Sequence, residues 1–231
     1  RDAREANQIA LELIREQGVD EIIKIKSVRY EMLSNDIGYL RLTQFKQKTD
    51  EEARDAMKEM IRKGARGLVL DLRNNGGGLL DVSVKICGMF LKGGPVVETR
   101  GRSEKANEKY SADPALFLTS MPVVVLINGG SASASEILAG ALQDTGAATL
   151  VGETSYGKGT VQMVMPIPGE DDAVKLTVAK YYTPKGRSIN GTGVEPDVPV
   201  AQEEGATEDA ALKKALEILD EKLKAASTPA S

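Results

Sequence analysis

Apolar residues change their spacing several times along the chain, and each change predicts a different element. Ile9, Leu11, Leu13 and Ile14 give a short amphipathic helix over Ala3 to Gln17, stopped by Gly18. Val28 to Leu33 and Ile37 to Leu42 read as strands, joined through Ser34-Asn35-Asp36 as a hairpin. Thr49-Asp50-Glu51-Glu52 fits a capping box, and Ala53, Ala56, Met57, Met60 and Ile61 recur at helical spacing until Gly64. Gly67-Leu68-Val69-Leu70-Asp71-Leu72 is a nearly unbroken apolar run, the pattern of a strand covered on both faces. Asn74-Asn75-Gly76-Gly77-Gly78 follows, and a helical pattern resumes through Val82, Ile86, Cys87, Phe90 and Leu91. Helix, buried strand, Gly-rich loop and helix in that order imply α/β organisation with parallel pairing.

Arg100 to Asp113 is polar and predicts an excursion over the surface. Pro122 to Ile127 is a second buried strand, running through Asn128-Gly129-Gly130 into a helix from Ser133 to Gln143. Ala148 to Val151 predicts a short strand. Thr160 to Ile167 and Val174 to Tyr182 alternate as two extended strands about a turn at Pro168 to Asp172. Leu212, Leu216, Leu219 and Leu223 stripe an amphipathic helix from Thr207 to Lys224, with a frayed end over Ser227 to Ser231. Periodicity favours that stripe packing on the chain's own core over packing on another subunit. No internal repeat is visible.

Composition narrows the function. At 231 residues, with 41% hydrophobic and 28% charged residues, the chain suits one sizeable core of an ordinary globular protein. A net charge of -4 and no long basic run argue against a nucleic-acid surface. No apolar stretch reaches the ~20 residues that span a bilayer. The opening Arg1-Asp2-Ala3-Arg4 is not a signal peptide, so a targeting segment is absent or removed. The single Cys87 excludes an internal disulfide and a Cys-based metal site, and reads as a space-filler.

The chain has no histidine, which removes the usual base of a serine nucleophile and the commonest metal ligand together. Against that absence stands the serine cluster Gly130-Ser131-Ala132-Ser133-Ala134-Ser135-Glu136 at the end of a buried strand. A serine there has its oxygen at the strand's carboxyl end, beside backbone N–H groups that favour developing negative charge. Ser131, Ser133 and Ser135 all sit near the helix N-terminus, and each can equally be a plain N-cap.

Lysine is the recognised substitute base, and Gly157-Lys158-Gly159 offers one with little steric cover. It serves only if its pKa falls from ~10.4 toward neutral. Period two puts Lys158, Thr160 and Gln162 on one face, where Gln162 can hold the amine without adding charge. An exposed lysine in a Gly-rich turn is otherwise inert. Gly152 to Lys158 also matches the first seven positions of a phosphate-binding P-loop. Gly159 stands where Ser or Thr should bind magnesium, and a strand pattern follows where a helix is required, so that reading is set aside. The glycines after Asp71-Leu72-Arg73 leave bare N–H groups at the sheet's carboxyl edge, suited to an oxyanion hole, or else form a plain flexible loop.

These three sites, in this order, resemble the carboxy-terminal processing proteases, also called tail-specific proteases. The likeness covers roughly Ser27 to Val200. It is carried by Asp71-Leu72-Arg73-Asn74-Asn75-Gly76-Gly77-Gly78, by Gly130 to Leu142, by Gly157-Lys158-Gly159-Thr160-Val161-Gln162, and by Ala179 to Pro184, Gly186 to Ile189 and Gly193 to Val198. The resemblance implies an α/β fold of the Clp protease and crotonase type, with a mixed sheet, packed helices and a C-terminal amphipathic helix. It implies Ser133 as nucleophile, Lys158 as general base and Gln162 as its orienting partner, with N–H groups of Gly77 and Ala134 as the oxyanion hole. Acyl transfer on a protein or peptide substrate follows, with no metal or cofactor required and an exported, periplasm-like location.

Three units are expected: a helical segment over 1–26, a protease core over 27–202, and a C-terminal helix and tail over 203–231. The family's PDZ domain precedes the segment matching Ser27 to Leu33, and some 26 residues are too few for it. The short segment stands as a remnant, a graft or a replacement. Two other functions share the fold: an inactive peptide-binding scaffold, and a crotonase-like acyl-transfer or hydratase enzyme. A homo-oligomer or regulatory partner stays open.

Overall fold

The computed structural model describes residues 26–33, 36–167, 172–201, 205 and 208–227. The helix expected over Ala3 to Gln17 and the tips of both hairpins lie outside them. Strands β1 (Val28–Met32) and β2 (Ile37–Leu42) pair antiparallel, as the hairpin pattern predicts. Helix α1 (Thr49–Arg62) then leads to β3 (Gly67–Asp71), and α2 (Leu80–Gly88) follows the glycine loop. After β4 (Pro95–Gly101) and β5 (Glu108–Ser111) come β6 (Val123–Ile127), α3 (Ala134–Asp144) and β7 (Thr149–Gly152). Strands β8 (Thr160–Pro166), β9 (Ala173–Tyr182) and β10 (Val198–Pro199) precede α4 (Ala210–Ser227).

The main sheet runs β1-β2-β3-β6-β7-β10, parallel throughout except for β1, so the expected mixed sheet is present. Its alternation explains the unbroken apolar runs. Leu68, Leu70, Val123 and Val125 face Met57, Met60, Ile86 and Leu138 of α1, α2 and α3. Val69, Val124 and Leu126 point the other way, onto Ala211, Ala215 and Leu219 of α4. A strand covered on both sides has no polar face, and its sequence shows none. The leucine stripe of α4 accordingly packs on its own chain. Cys87 is fully buried in the first layer, and burial pushes its thiol up. It is expected to resist iodoacetamide in the folded protein and to react once unfolded, which mass spectrometry reads directly.

Two expectations are corrected. Arg100 to Asp113 is not a bare surface excursion. Its ends lie in β4 and β5 of a separate antiparallel sheet, ordered β5-β4-β9-β8. This small sheet reaches the core through Val96, Val97 and Tyr181, while Met163, Val164, Met165, Val174 and Leu176 on β8 and β9 stand exposed. The capping box at Thr49 is not formed either. Lys48 precedes the helix without a side-chain cap, and Thr49 Oγ1 is buried at 2.7 Å from Ser27 Oγ, accepting from Lys46 N at 2.9 Å. Its hydroxyl fastens the start of β1 instead.

An ion network anchored on the buried Asp71 fixes α4 to the sheet. Asp71 is fully buried and accepts from Tyr39 Oη (2.6 Å) and from Arg73 Nη2 (2.7 Å). Arg73 Nη1 reaches Asp209 at 2.8 Å, and Asp209 also accepts from Leu212 N at the start of α4. Burial opposes the charge on Asp209, but those two hydrogen bonds outweigh it and hold the carboxyl below the usual carboxylate range. Its contribution is therefore complete at neutral pH and is lost as pH falls through and below that range. Arg73→Ala would leave the Asp71 charge without its closest cation. It is expected to destabilise by ~3 kcal/mol or more in urea denaturation.

Candidate active site

The carboxyl ends of β3 and β6 lie side by side, with Asp71 opposite Leu126, so the two loops that leave them are neighbours. Two asparagines clamp them. Asn74 N donates to Asn128 Oδ1 (2.9 Å), and Asn128 Nδ2 donates to Asn74 Oδ1 (3.0 Å). The three serines then separate by surroundings. Ser131 is fully buried, its Oγ donating to Leu72 O at 2.9 Å, and Ser135 is fully buried, its Oγ donating to Asn75 O at 2.8 Å. Both are braces between the loops. Ser133 is half-buried and immediately precedes α3.

Ser133 has φ 57° and ψ -114°, a conformation rare for any residue with a side chain. Such a backbone costs ~1–3 kcal/mol and persists only where the surroundings impose it. Ser133 N donates to Glu136 Oε2 at 2.7 Å, which helps to impose it. Ala134 N opens the helix, where geometry leaves an N–H without an intrahelical acceptor. Gly77, at φ 99°, packs directly against this turn: a Cβ there would sit 2.8 Å from Ser133 Cβ and 3.0 Å from Ala134 N. Only glycine fits. Its N–H, however, does not face open space as an oxyanion donor must, but donates to Asn75 Oδ1 at 2.9 Å.

Glu136 joins the serine turn to the lysine loop. It is fully buried, and its carboxyl accepts four hydrogen bonds. Oε2 takes Ser133 N and Lys158 N (2.9 Å), while Oε1 takes Ser155 Oγ and Gly157 N, both at 2.6 Å. Tyr156 N adds a bond to Ser131 O at 2.9 Å. Gly157 and Gly159 pack against the backbone of residues 190–193: a Cβ on Gly159 would collide with Asn190 N, and one on Gly157, at φ 89°, would be tightly confined at 3.1 Å from Gly193 N. The glycines therefore serve close packing as well as clearing space around the lysine.

Lys158 carries an exposed side chain, and so does Gln162 on β8. Val161 and Met163 turn to a groove beneath the small sheet, so Thr160 and Gln162 occupy the opposite face, in keeping with the expected alternation. Among the described residues no hydrogen bond joins Lys158 Nζ or the Gln162 amide to Ser133 Oγ. The main chains of the two loops are locked together, and the two side chains are not. A strand follows Lys158, which removes the P-loop geometry. Glu136 was part of the serine motif but had no role assigned from sequence. The Ser133-x-x-Glu136 spacing of a capping box was the available signal.

A serine of positive φ at a helix N-terminus, an adjoining glycine loop and a lysine loop tied to it by one buried carboxyl lie on a mixed-sheet α/β fold of the Clp/crotonase-like type. The chain belongs to peptidase family S41, whose profile matches residues 36–200. It is 48% identical over 188 residues to a carboxy-terminal-processing protease of Bartonella bacilliformis, covering 80% of this chain and 43% of that protein. It is 42% identical over 167 residues to a chloroplastic C-terminal processing peptidase of Tetradesmus obliquus, covering 72% and 36%. Among solved structures, a photosystem II D1 C-terminal processing protease superposes with a TM-score of 0.71 at 35% identity, covering 86% of this chain and 54% of that one. The chain thus spans about two fifths of these curated relatives' own length. No helix among the described residues is long and apolar enough to cross a membrane.

Proposed function

We propose that this chain is the catalytic core of a serine endopeptidase that cuts polypeptides near their C-termini through a Ser133–Lys158 dyad. The observation that carries this reading is the Glu136 carboxyl, which gathers the main chains of Ser133, Gly157 and Lys158 onto two oxygen atoms. In the reaction, neutral Lys158 Nζ accepts the proton of Ser133 Oγ as Oγ bonds to the peptide carbonyl carbon. The resulting oxyanion is met by Ala134 N–H and by Gly77 N–H, which must first leave Asn75 Oδ1. Collapse breaks the C–N bond, and Lys158 returns the proton to the leaving amine. Water, deprotonated by Lys158, then releases the acyl group from Ser133.

Gln162 orients the Lys158 amine on its productive rotamer. The core spans 27–202, with α4 completing one face of the sheet. The bacterial and chloroplast processing proteases among its relatives support an exported site of action. A fluorophosphonate probe tests the reading: it should label Ser133, mapped by peptide mass spectrometry, and leave Ser131 and Ser135 untouched. An unlabelled, folded protein would instead indicate a peptide-binding scaffold.

A further inference from the structure

The small sheet borders an open groove of about 860 Å³, whose lining runs from Leu80 at the start of α2 to Val161 on β8. Leu80, two residues beyond Gly78, forms one wall, and Val161, three residues beyond Lys158, forms the other. Met163, 52% exposed, and Ala179 continue an apolar floor between them. The volume is that of a small-ligand or side-chain site.

The charge around this floor is predominantly basic, with Arg100, Arg102, Lys105 and Lys180 against the single lining acid Glu108. Arg102, Lys105 and Lys180 stand exposed on the rim, and none has a carboxylate partner among the described residues. Arg100 is neutralised by Glu98 at 2.9 Å, and the lining acid Glu108 is bound to the Tyr110 hydroxyl. Three uncommitted cations on one rim are conspicuous in a chain of net charge -4. Among the described residues the neighbouring strand β8 pairs only with β9, so its outer edge offers main-chain groups to an extended chain.

We propose that this groove is a substrate subsite for an extended polypeptide segment in which an apolar side chain is followed by acidic residues. The apolar side chain fills the floor over Leu80, Val161 and Met163, and the carboxylates meet Arg102, Lys105 and Lys180. Together they give the peptidase a preference for acidic segments beside the cleaved bond. This deepens the function proposed above and rests on it for its meaning, but the groove's chemistry can be measured without catalysis.

The test uses the whole 231-residue chain carrying Ser133→Ala, so that peptide is bound and not cut. Two fluorescent, disordered peptides of equal length share one apolar residue, followed by a run of acidic residues in one and of lysines in the other. Anisotropy titration is expected to show about tenfold tighter binding of the acidic peptide, shrinking as salt rises. Adding Arg102→Glu, Lys105→Glu and Lys180→Glu should invert the preference, and Met163→Asp should weaken the acidic peptide several-fold. Equal affinities, no binding of either peptide, or a preference that survives the charge reversal would overturn the proposal. Failure of Ser133 to take the fluorophosphonate, with the acidic preference intact, would sink the peptidase reading and leave the subsite standing.

Discussion

Ser133→Ala, Lys158→Ala and Lys158→Arg are each expected to lower cleavage of an unstructured polypeptide by about 10⁴-fold or more, with the urea midpoint unchanged. The size follows from the unit the pair forms. In the proposed mechanism there is no acyl-enzyme without Oγ, and in a chain devoid of histidine the base is the Lys158 amine. Lys158→Arg is the sharper variant. It keeps the charge and much of the length, but guanidinium does not deprotonate in proteins, so charge alone cannot restore turnover. Stability should be spared because the Lys158 side chain is exposed and Ser133 holds its turn through its backbone N–H to Glu136. Steady-state cleavage beside a urea melt decides the matter. Wild-type turnover by Lys158→Arg would remove lysine from the role of base, and Glu136 would become the alternative to examine.

Legibility in the sequence followed burial. Strands β3 and β6 are covered on both faces, so every position is apolar until Asp71, and the run announces itself. The α4 stripe was equally plain because one face meets Val69 and Val124 while the other meets water. Strand β5, Glu108-Lys109-Tyr110-Ser111, was invisible because it sits at the edge of a sheet that is half solvent-facing. Its partners are the mixed residues Val97, Glu98 and Thr99, and neither strand alternates. Local pattern also misled at Thr49, where Thr-x-x-Glu spacing is present but the hydroxyl is claimed by Ser27, distant in sequence.

The site divides in the same way. That a serine lay at the start of α3 was readable, but which serine was free was not. Ser131 and Ser135 are silenced by carbonyls of Leu72 and Asn75, roughly sixty positions away, and no local rule contains them. Gly77 lies against Ser133, where only a residue without Cβ fits. The direction of its N–H depended on the rotamer of Asn75, which a sequence does not carry. Glu136 stayed unassigned for a related reason. One of its four donors is the serine three positions back, and the other three come from the lysine loop across the fold.

Glu136→Gln is therefore expected to lower kcat/KM by about 10²-fold or more, and to destabilise the protein as well, which separates it from the dyad variants. Four donors converge on the two carboxyl oxygens, two on each. A glutamine replaces one oxygen with an NH₂ group, which then faces donors. Either Ser155 Oγ and Gly157 N or Ser133 N and Lys158 N lose their acceptor inside the protein. Each stranded buried donor costs ~1–3 kcal/mol. The loop can escape that cost only by pulling away, and about 1 Å of displacement between nucleophile and base is enough for a 10²-fold loss. The fall should appear chiefly in kcat, because the groove and the β8 edge remain intact, and fluorophosphonate labelling of Ser133 should slow in parallel. Ser155→Ala, which removes one donor and leaves the carboxyl in place, should cost far less activity. A Glu136→Gln protein with full turnover and an unchanged urea midpoint would show that the two loops hold their register without this carboxyl. The Ser133 turn, with its positive φ, would then need another support.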